Sequence, residues 1–347
     1  MAKAKKLPSG NWRVRVYSHT TPDGKKHYES FTASTKQQAE MMATKFANSA
    51  DRNRGEDITV KEAVDNYINA NEGTLSPSTI YGYRKDAKRF DTISNIRVRK
   101  INSTIIQSFI SDLSVRNLSP KTVRNTYALL RASLAFSGAD VNYRIHLPQN
   151  QKKRKNAPED EQIIALYNAA KPKMKIAIML ASRHSLRRGE VCGLTYGDLS
   201  GNTLYVHSDV VKSSDGKSWV HKETPKTSSS NRLLYLTEQE LKLIGNGSPN
   251  EYIVPLVPSS IGTNFYNLRK KVGIDGIRFH DLRVYFASVS AALNIPELYT
   301  AHHGGWKENS RVLKEHYQKP IASIDEAYAK KLNDHFENMT RNMTQEM

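Results

Sequence analysis

The sequence has almost no cysteine and no long hydrophobic run. Its single cysteine, Cys192, excludes an intramolecular disulfide framework and favours a reducing compartment. No apolar stretch approaches the roughly 20 residues that a membrane-spanning helix needs. The N-terminus also lacks the apolar segment of a secretory signal. These absences argue against a secreted disulfide scaffold and against a membrane protein, and they predict a soluble intracellular protein.

Acidic residues are scarce relative to basic ones. The chain of 347 residues has 52 Lys and Arg against 34 Asp and Glu, which gives a formal net charge of +18. The excess is spread along the chain: 11 against 4 in residues 1–54, 13 against 9 in 55–146, and 28 against 21 in 147–347. Positive charge over a whole chain favours contact with a polyanion along its length. Nucleic acid is the expected partner, and a basic protein without such a partner is the alternative.

The hydrophobic pattern divides the chain into three folded parts. Residues 1–54 predict a small β-sheet-plus-helix domain, and residues 59–146 predict helices throughout. Residues 153–337 predict a mainly helical domain with a small antiparallel sheet. Residues 338–347 are polar and predict a mobile tail. The expected fold class is therefore α+β with several domains.

A strand predicted at residues 11–17 has a basic face. Its apolar residues would pack on the following helix, whereas Arg13 and Arg15 would point outwards beside Tyr17. A basic strand face that carries an aromatic side chain can enter a DNA groove. A solvent-exposed sheet face without a partner is the alternative.

Basic residues also mark the helical part and the linker that follows it. Three of them lie on one face of the helix predicted at 119–137, at spacings of three and seven residues. The polar linker at 147–157 is strongly basic as well. The candidate DNA-binding residues of these segments are Lys121, Arg124, Arg131, Lys152, Lys153 and Arg154. Such a domain could close over a duplex as half of a clamp, and a solvated basic face is the alternative.

The stretch from 278 to 317 contains the residues best suited to catalysis. His280 and Arg283 are three residues apart, which places both on one helix face, where both can donate to phosphate oxygens. Trp306 follows two glycines and can add a donor through its indole N–H. Tyr317 ends a polar, helix-like run and offers a phenol oxygen as nucleophile. Since no cluster of carboxylates accompanies these residues, the pattern favours a phosphate site without a metal.

Two more candidate residues lie upstream. Arg187 and Glu190 are three residues apart on a predicted helix, so the carboxylate can hold the guanidinium towards a phosphate. Lys226 lies in the turn of a predicted hairpin, and its ammonium could protonate a leaving oxygen. Each residue alone has an ordinary explanation, as a solvated helix face, a core aromatic or an exposed loop lysine. The case for a reaction site depends on their occurring together.

These motifs, in this order, resemble the tyrosine recombinase (phage integrase) family. They are Leu186-Arg187-Arg188-Gly189-Glu190, Thr224-Pro225-Lys226-Thr227 before Arg232, His280-Asp281-Leu282-Arg283, Gly304-Gly305-Trp306, and Tyr317. The resemblance covers nearly the whole chain, and the motifs are specific as a set. It implies an arm-type DNA-binding domain at 1–54, a core-binding domain at 59–146 and a catalytic domain at 153–337.

The resemblance also implies a role for each motif residue. The implied catalytic residues are Arg187, Lys226, His280, Arg283 and Tyr317 as the nucleophile, with Glu190 supporting the first arginine. The sixth catalytic position is a His or a Trp in this family, and Trp306 is the first choice, with His303 as the alternative. The Thr-Gly that usually precedes Leu-Arg is replaced here by His184-Ser185, a departure expected to affect local packing.

The implied activity is site-specific recombination that integrates or excises a phage or another mobile element. DNA would be cut and rejoined through a 3′-phosphotyrosyl intermediate that conserves the phosphodiester energy, so no cofactor and no metal are expected. Two duplexes cut on both strands imply a homotetramer on attachment-site DNA. An excision factor and a host DNA-bending protein are further candidate partners, and the expected location is the bacterial cytoplasm, at the nucleoid.

Three other functions stay open at this point. A type IB topoisomerase shares the chemistry, although the separate N-terminal domain and the integrase-like layout argue against it. A non-catalytic DNA-binding regulator would leave the set of catalytic-type residues without a purpose. A metallohydrolase that uses His302 and His303 lacks a carboxylate or a further histidine at ligand spacing nearby.

Overall fold

The computed structural model describes residues 3–20, 26–48, 57–149, 156–223 and 231–345. The chain divides into two compact units: residues 1–152 with 213–216, and residues 153–212 with 217–347. No helix in the described ranges is both long and apolar enough to cross a membrane.

The first unit begins with a small sheet and one helix. In the part of the chain that is described, these elements are β1 (Lys5–Lys6), β2 (Trp12–Thr20), β3 (Lys26–Ala33) and α1 (Lys36–Asn48). The sheet is antiparallel in the order β1-β2-β3, and α1 packs on one of its faces. Val14, Ala39 and Ala43 form the core between them. The hydrophobic pattern predicts β2, β3 and α1. It does not predict β1, because two residues are too few to show an alternation of apolar and polar side chains.

Helices form the remainder of the described first unit. They are α2 (Val60–Ala70), α3 (Pro77–Ala87), α4 (Ser103–Val115) and α5 (Pro120–Phe136). Thr59 and Glu62 form a reciprocal capping box at the start of α2, and Asn102 and Ser119 cap α4 and α5. Ser76 precedes the proline of α3, but its side chain makes no capping hydrogen bond. Helix α5 packs against the other three, so its apolar side chains lie at the centre of this part.

Helices also dominate the second unit. In its described residues they are α6 (Asp160–Ala169), α7 (Pro172–Arg183), α8 (Arg188–Gly193), α9 (Glu238–Ile244), α10 (Pro258–Lys271), α11 (Asp281–Ala292), α12 (Glu297–Gly304) and α13 (Ala322–Gln345). Helix α7 contacts α6, α8, α9, α10 and α11. Because neighbours surround it, residues 176–182 are all buried, and all of them except Ser182 are apolar.

Small antiparallel sheets complete the described second unit. Their strands are β4 (Leu199–Ser200), β5 (Thr203–Val206), β6 (Asp209–Lys212), β7 (Trp219–Lys222) and β8 (Arg232–Tyr235), in the orders β4-β5-β8 and β6-β7. The sequence pattern predicts one strand over 203–211, and this was wrong. The strand is interrupted because His207 bonds to Asp198 at 2.8 Å and Ser208 Oγ donates to the Gly193 carbonyl at 3.0 Å.

The α+β multidomain fold class is confirmed, whereas the boundaries predicted at 54–59 and 146–153 stay a prediction. Helix α13 continues to Gln345, although the pattern predicts a helix that ends at Phe336 and a tail at 338–347. No glycine or proline interrupts this segment, so nothing in its sequence stops the helical backbone.

Helix α7 ends at a residue in the left-handed conformation. The Leu186 N–H donates to the Leu180 carbonyl at 3.2 Å, the long-range bond of a Schellman ending, and Ser185 between them has a φ of 59°. Ser185 is fully buried, and its hydroxyl has no hydrogen-bond partner among the described residues. Glycine adopts this conformation without steric cost. The departure from Thr-Gly therefore places backbone strain at Ser185, two residues before Arg187.

Replacing Ser185 by glycine is expected to stabilise the second unit. Ser185→Gly removes the left-handed strain and the unpaired hydroxyl, which should raise the free energy of unfolding by about 1 kcal/mol. For a unit of this size the midpoint of thermal unfolding rises by about 2–4 °C, which scanning calorimetry measures. Ser182→Gly is the matched control and should lower the midpoint, because glycine destabilises the interior of α7. A lower midpoint in Ser185→Gly would contradict the assignment of strain.

Candidate active site

Helix α11 positions the first two candidate residues. His280 is its N-cap rather than a helical residue, and Arg283 lies in its first turn. Arg283 is completely buried, and its Nη2 donates to the Gly304 carbonyl at 3.1 Å. Its Nε and Nη1 have no hydrogen-bond partner among the described residues. The described part of the domain therefore leaves two donors of a buried guanidinium unsatisfied.

Tyr317 ends a widened helical turn. The sequence predicts an ordinary helix over 308–318, but Leu313–Tyr317 form a π-helical turn in which Gln318 N–H donates to the carbonyl five residues earlier at 2.9 Å. This end of the turn meets α11, where the Tyr317 hydroxyl lies 2.7 Å from His280 Nε2. The nucleophile and a proton acceptor predicted 37 residues apart are therefore in hydrogen-bond contact.

The backbone of the tyrosine is held by the same helix. Ser288 Oγ donates to the Tyr317 carbonyl at 3.2 Å and accepts from the Lys319 N–H at 2.9 Å. Ser288 lies on α11, two turns after the residues that contact the hydroxyl, and is buried. Helix α11 thus fixes both ends of the tyrosine.

Trp306 lies between the arginine and the tyrosine. The Arg283 Cζ is 4.5 Å from the Trp306 ring centroid, and the centroids of Trp306 and Tyr317 are 4.9 Å apart with an edge-on orientation. The indole Nε1 has no hydrogen-bond partner in the described part of the chain. A Cβ at Gly304 would lie 1.7 Å from the indole ring, so this approach requires glycine.

His303 lies on another side of the turn. Its ring centroid is 6.4 Å from that of Tyr235, and its backbone carbonyl accepts from Arg232 Nε at 2.9 Å. The ring of Trp306, by contrast, contacts both Arg283 and Tyr317. The geometry therefore favours Trp306 over His303 for the sixth catalytic position.

Arg187 is held at the start of α8 by Glu190. The Arg187 backbone N–H donates to Glu190 Oε2 at 3.0 Å, and its Nη1 donates to Oε1 of the same carboxylate. Its Nη2 donates to the Gly305 carbonyl at 3.4 Å. Glu190 has a second cation partner, since Arg232 Nη2 donates to Oε2 at 3.1 Å.

Sequence reasoning assigned no role to Arg232. One signal was available, because Arg232 alternates in phase with Leu234, which is buried in β8. An arginine on the apolar face of a strand requires an acceptor inside the protein.

The comparisons with known proteins identify this domain. The sequence model described as the phage integrase family matches residues 157–320, a span that contains the whole of the geometry above. Residues 157–320 belong to the phage integrase family. The resemblance to tyrosine recombinases is confirmed by this match, whereas an arm-type N-terminal domain stays a prediction. No curated protein sequence matches the chain.

Solved structures are similar to the chain beyond the integrase domain. The Tn1549 transposon integrase in complex with transposon right end DNA has a TM-score of 0.63 at 16% identity and covers 80% of this chain and 100% of that one. The same integrase with circular intermediate DNA has a TM-score of 0.64 at 17% identity, covering 79% and 100%. A lambda integrase tetramer bound to a Holliday junction has a TM-score of 0.56 at 16% identity, covering 91% and 95%. At these identities the similarity shows the shared fold.

The carboxylate of the integrase site stays ionised. Burial alone would raise the pKa of Glu190, but the charges of Arg232, Arg187 and Arg283 outweigh burial and hold the pKa at about 2. Among the described residues of the site, one carboxylate thus faces three guanidiniums. Burial, followed by the charge of Arg187, lowers the pKa of Arg283 to about 9, so it still carries its charge at neutral pH. The net positive charge suits a phosphate.

His280 is neutral at physiological pH. Burial and then the Arg283 charge lower its pKa, against the opposing effect of Asp281, to about 4. A neutral imidazole has one nitrogen that accepts a proton, and Nε2 is the nitrogen that faces the Tyr317 hydroxyl. His280 is therefore suited to accept the tyrosine proton.

The remaining predicted residues lie either outside the described part of the chain or on exposed surfaces of other elements. Lys226, Lys152, Lys153 and Arg154 lie outside the described residues. Arg13 and Arg15 are exposed on β2, and Arg15 Cζ lies 5.3 Å from the ring centroid of Tyr28. Lys121, Arg124 and Arg131 are exposed on α5, and Arg124 Nε donates to the Pro148 carbonyl at 3.1 Å. Their contact with DNA stays a prediction.

The geometry also bears on the alternative prediction of a metal site at His302 and His303. The rings of His302 and His303 lie 5.6 Å apart. Within the described residues, no group of three or more His, Cys, Asp or Glu side chains is placed to hold a metal ion.

The lowered pKa of His280 can be tested without a substrate. In NMR spectra of the histidine-labelled protein, the ring carbon signal of His280 is assigned as the one that is missing from His280→Gln. This signal is expected to titrate at about pH 4. The unfolded chain takes up this proton near its ordinary value of 6.5, before the folded chain does. Stability should consequently fall as the pH decreases from 6.5 towards 4, and less so in His280→Gln. A His280 signal that titrates near 6.5 would contradict the lowered pKa.

Proposed function

We propose that the protein is a site-specific tyrosine recombinase that integrates and excises a mobile DNA element. The observation that supports this most directly is the 2.7 Å contact between the Tyr317 hydroxyl and His280 Nε2, beside buried guanidiniums. A nucleophile, its proton acceptor and anion-binding cations are the parts that phosphoryl transfer to a protein side chain requires.

The unpaired donors of the site suit a scissile phosphate. Nε and Nη1 of Arg283 and Nε1 of Trp306 could donate to its non-bridging oxygens, and Arg187 supplies a second guanidinium. Negative charge grows on these oxygens as phosphorus is attacked. Cations that the fold already holds in place stabilise this charge without reorganising, which is the most effective form of electrostatic catalysis.

The chemical step then has a defined sequence. The Tyr317 oxygen bonds to phosphorus while its proton passes to His280 Nε2, and the bond between phosphorus and the 5′ oxygen breaks. In the proposed mechanism Lys226 protonates the departing 5′ oxygen. The products are a 3′-phosphotyrosyl ester and a free 5′-hydroxyl, so the energy of the phosphodiester is retained. A 5′-hydroxyl from a second duplex reverses the step and yields recombinant DNA.

Duplex DNA with attachment sites is the proposed substrate. The similar Tn1549 and lambda structures contain DNA, and the net charge of +18 of this chain suits the same partner. The lambda integrase tetramer on a Holliday junction supports a homotetramer for this chain. An excision factor, a host DNA-bending protein and a location at the bacterial nucleoid complete the proposal.

The nucleophile can be tested by covalent capture. The probe is a pool of nicked duplexes with randomised sequence around the nick, in which the short cleaved fragment diffuses away and traps the adduct. The wild-type protein is expected to form an adduct that survives denaturing electrophoresis, and sequencing of the trapped DNA identifies a preferred duplex. Tyr317→Phe should retain the affinity for that duplex and form no adduct, because it lacks the attacking oxygen.

The control removes another hydroxyl from the same region. Tyr328 is exposed on α13, eleven residues after Tyr317, and Tyr328→Phe should form the adduct at the wild-type rate. Adduct formation by Tyr317→Phe would refute the assignment of the nucleophile. Transfer of the trapped strand to a second duplex separates a recombinase from a topoisomerase, which relaxes supercoils instead.

The role of Lys226 can be separated from that of the arginines. Lys226→Ala is expected to bind the selected duplex normally and to cleave it at least about 10²-fold more slowly, the usual scale for the loss of a general acid. Replacing the 5′-bridging oxygen by sulfur, which leaves without a proton, should restore cleavage. Arg283→Ala is the matched control, and sulfur should not rescue it. Fast cleavage of the oxygen substrate by Lys226→Ala would remove Lys226 from the mechanism.

A further inference from the structure

Arg232 contacts two of the elements that build the site. Its side chain is 1% exposed on strand β8. Its Nη2 donates to Glu190 Oε2 on α8 at 3.1 Å, and its Nε donates to the His303 carbonyl at the end of α12 at 2.9 Å. These bonds span 42 and 71 residues of sequence. A charge so completely removed from water is costly unless its partners are well placed.

The bonds of Arg232 complete a closed ring with Arg187. Glu190 accepts from Arg187 through Oε1 and from Arg232 through Oε2. On the other side, Arg232 donates to the His303 carbonyl and Arg187 to the Gly305 carbonyl. The ring therefore connects the carboxylate of α8 to the turn that leads into Trp306.

The turn itself is shaped to admit this arginine. Gly305 has a φ of 69°, and a Cβ there would lie 2.7 Å from Arg232 Nη1. Any other residue at this position would be strained and would collide with the guanidinium. Glycine thus allows the backbone of the turn to lie directly against Arg232.

We infer that Arg232 is a positioning residue of the reaction, which acts through Glu190 on Arg187 and through the 303–305 turn on Trp306. This inference rests on the proposed function. Glu190 occupies the guanidinium groups of both arginines, and Arg232 itself has the lower exposure of the two, 1% against 32% for Arg187. Arg187 is thus the more open of these two arginines, and Arg232 holds the carboxylate and the turn in place beside it.

The test uses variants of Arg232 and Glu190 with the duplex selected by covalent capture. Arg232→Met keeps a similar volume but removes the charge and the bonds to Glu190 and to the His303 carbonyl. It is expected to bind DNA with an unchanged Kd and to form the adduct about 10- to 100-fold more slowly, as a misplaced catalytic group does. Arg232→Lys should recover part of the rate, since lysine keeps the charge but cannot bond to two acceptors in the arginine geometry.

A double-mutant cycle distinguishes positioning from a general loss of structure. If Arg232 acts through Glu190, then Glu190→Gln combined with Arg232→Met should be no slower than the slower single variant. The thermal midpoint of each variant shows whether it folds, and Arg232→Lys, which keeps the charge beside Glu190, carries the test where Arg232→Met does not fold. Arg183→Met is the control, because Arg183 pairs with Glu240 elsewhere in the domain. Its adduct rate should match the wild type.

Failure of the inference is distinct from failure of the proposed function. If the wild-type protein forms no adduct with any duplex of the pool, the proposed function is wrong. If the wild type forms the adduct, three results would each overturn the inference alone: a wild-type rate in Arg232→Met, a loss of affinity equal to the loss of rate, or rate losses that multiply in the double variant.

Discussion

The integrase domain depends on the neutralisation of guanidiniums that it buries. Glu190 supplies a full negative charge, and the carbonyls of residues 303–305 at the end of α12 supply partial ones. Each of these successive carbonyls accepts from a different arginine: Arg232, Arg283 and Arg187 in that order. A helix C-terminus carries a partial negative charge and unpaired carbonyls, so it suits cations. A single helix end thereby gathers side chains from β8, α11 and α8.

This neutralisation is incomplete, and in the proposed reaction the unpaired donors are the ones that a phosphate would use. A second carboxylate would occupy the Nε and Nη1 donors of Arg283, which have no partner among the described residues. The domain instead covers this guanidinium with the ring of Trp306, 4.5 Å from its Cζ, and with that of Tyr317, at 5.6 Å. Aromatic faces stabilise a cation without using its N–H groups. The donors thus stay available to a phosphate, at some cost in stability.

Residue spacing predicts the local parts of the site, whereas its distant members were brought together only by the family resemblance, and the contacts of Arg232 were missed. His280 and Arg283 are three residues apart, so the predicted proximity of the two residues holds even though His280 is the N-cap of α11 and not part of the helix. The Arg232 contacts join residues as far as 71 apart, and no spacing rule covers them. The π-helical turn before Tyr317 depends on packing against α11, and the break after β5 depends on side-chain hydrogen bonds. Periodicity contains neither kind of information.

The site consists of two parts, one held by α11 and the other held by the ring of hydrogen bonds that includes Glu190 and Arg232. The tyrosine, its predicted proton acceptor and Arg283 are all held by α11 or its N-cap. Arg187 and Trp306 come from other elements and keep their places through the ring of bonds that Arg232 completes. In the proposed reaction, attack on phosphorus would require both parts to be correctly placed, because the cations would have to meet the oxygens on which charge develops. If the inference about Arg232 holds, side chains that never contact the DNA would limit the rate as strongly as those that do.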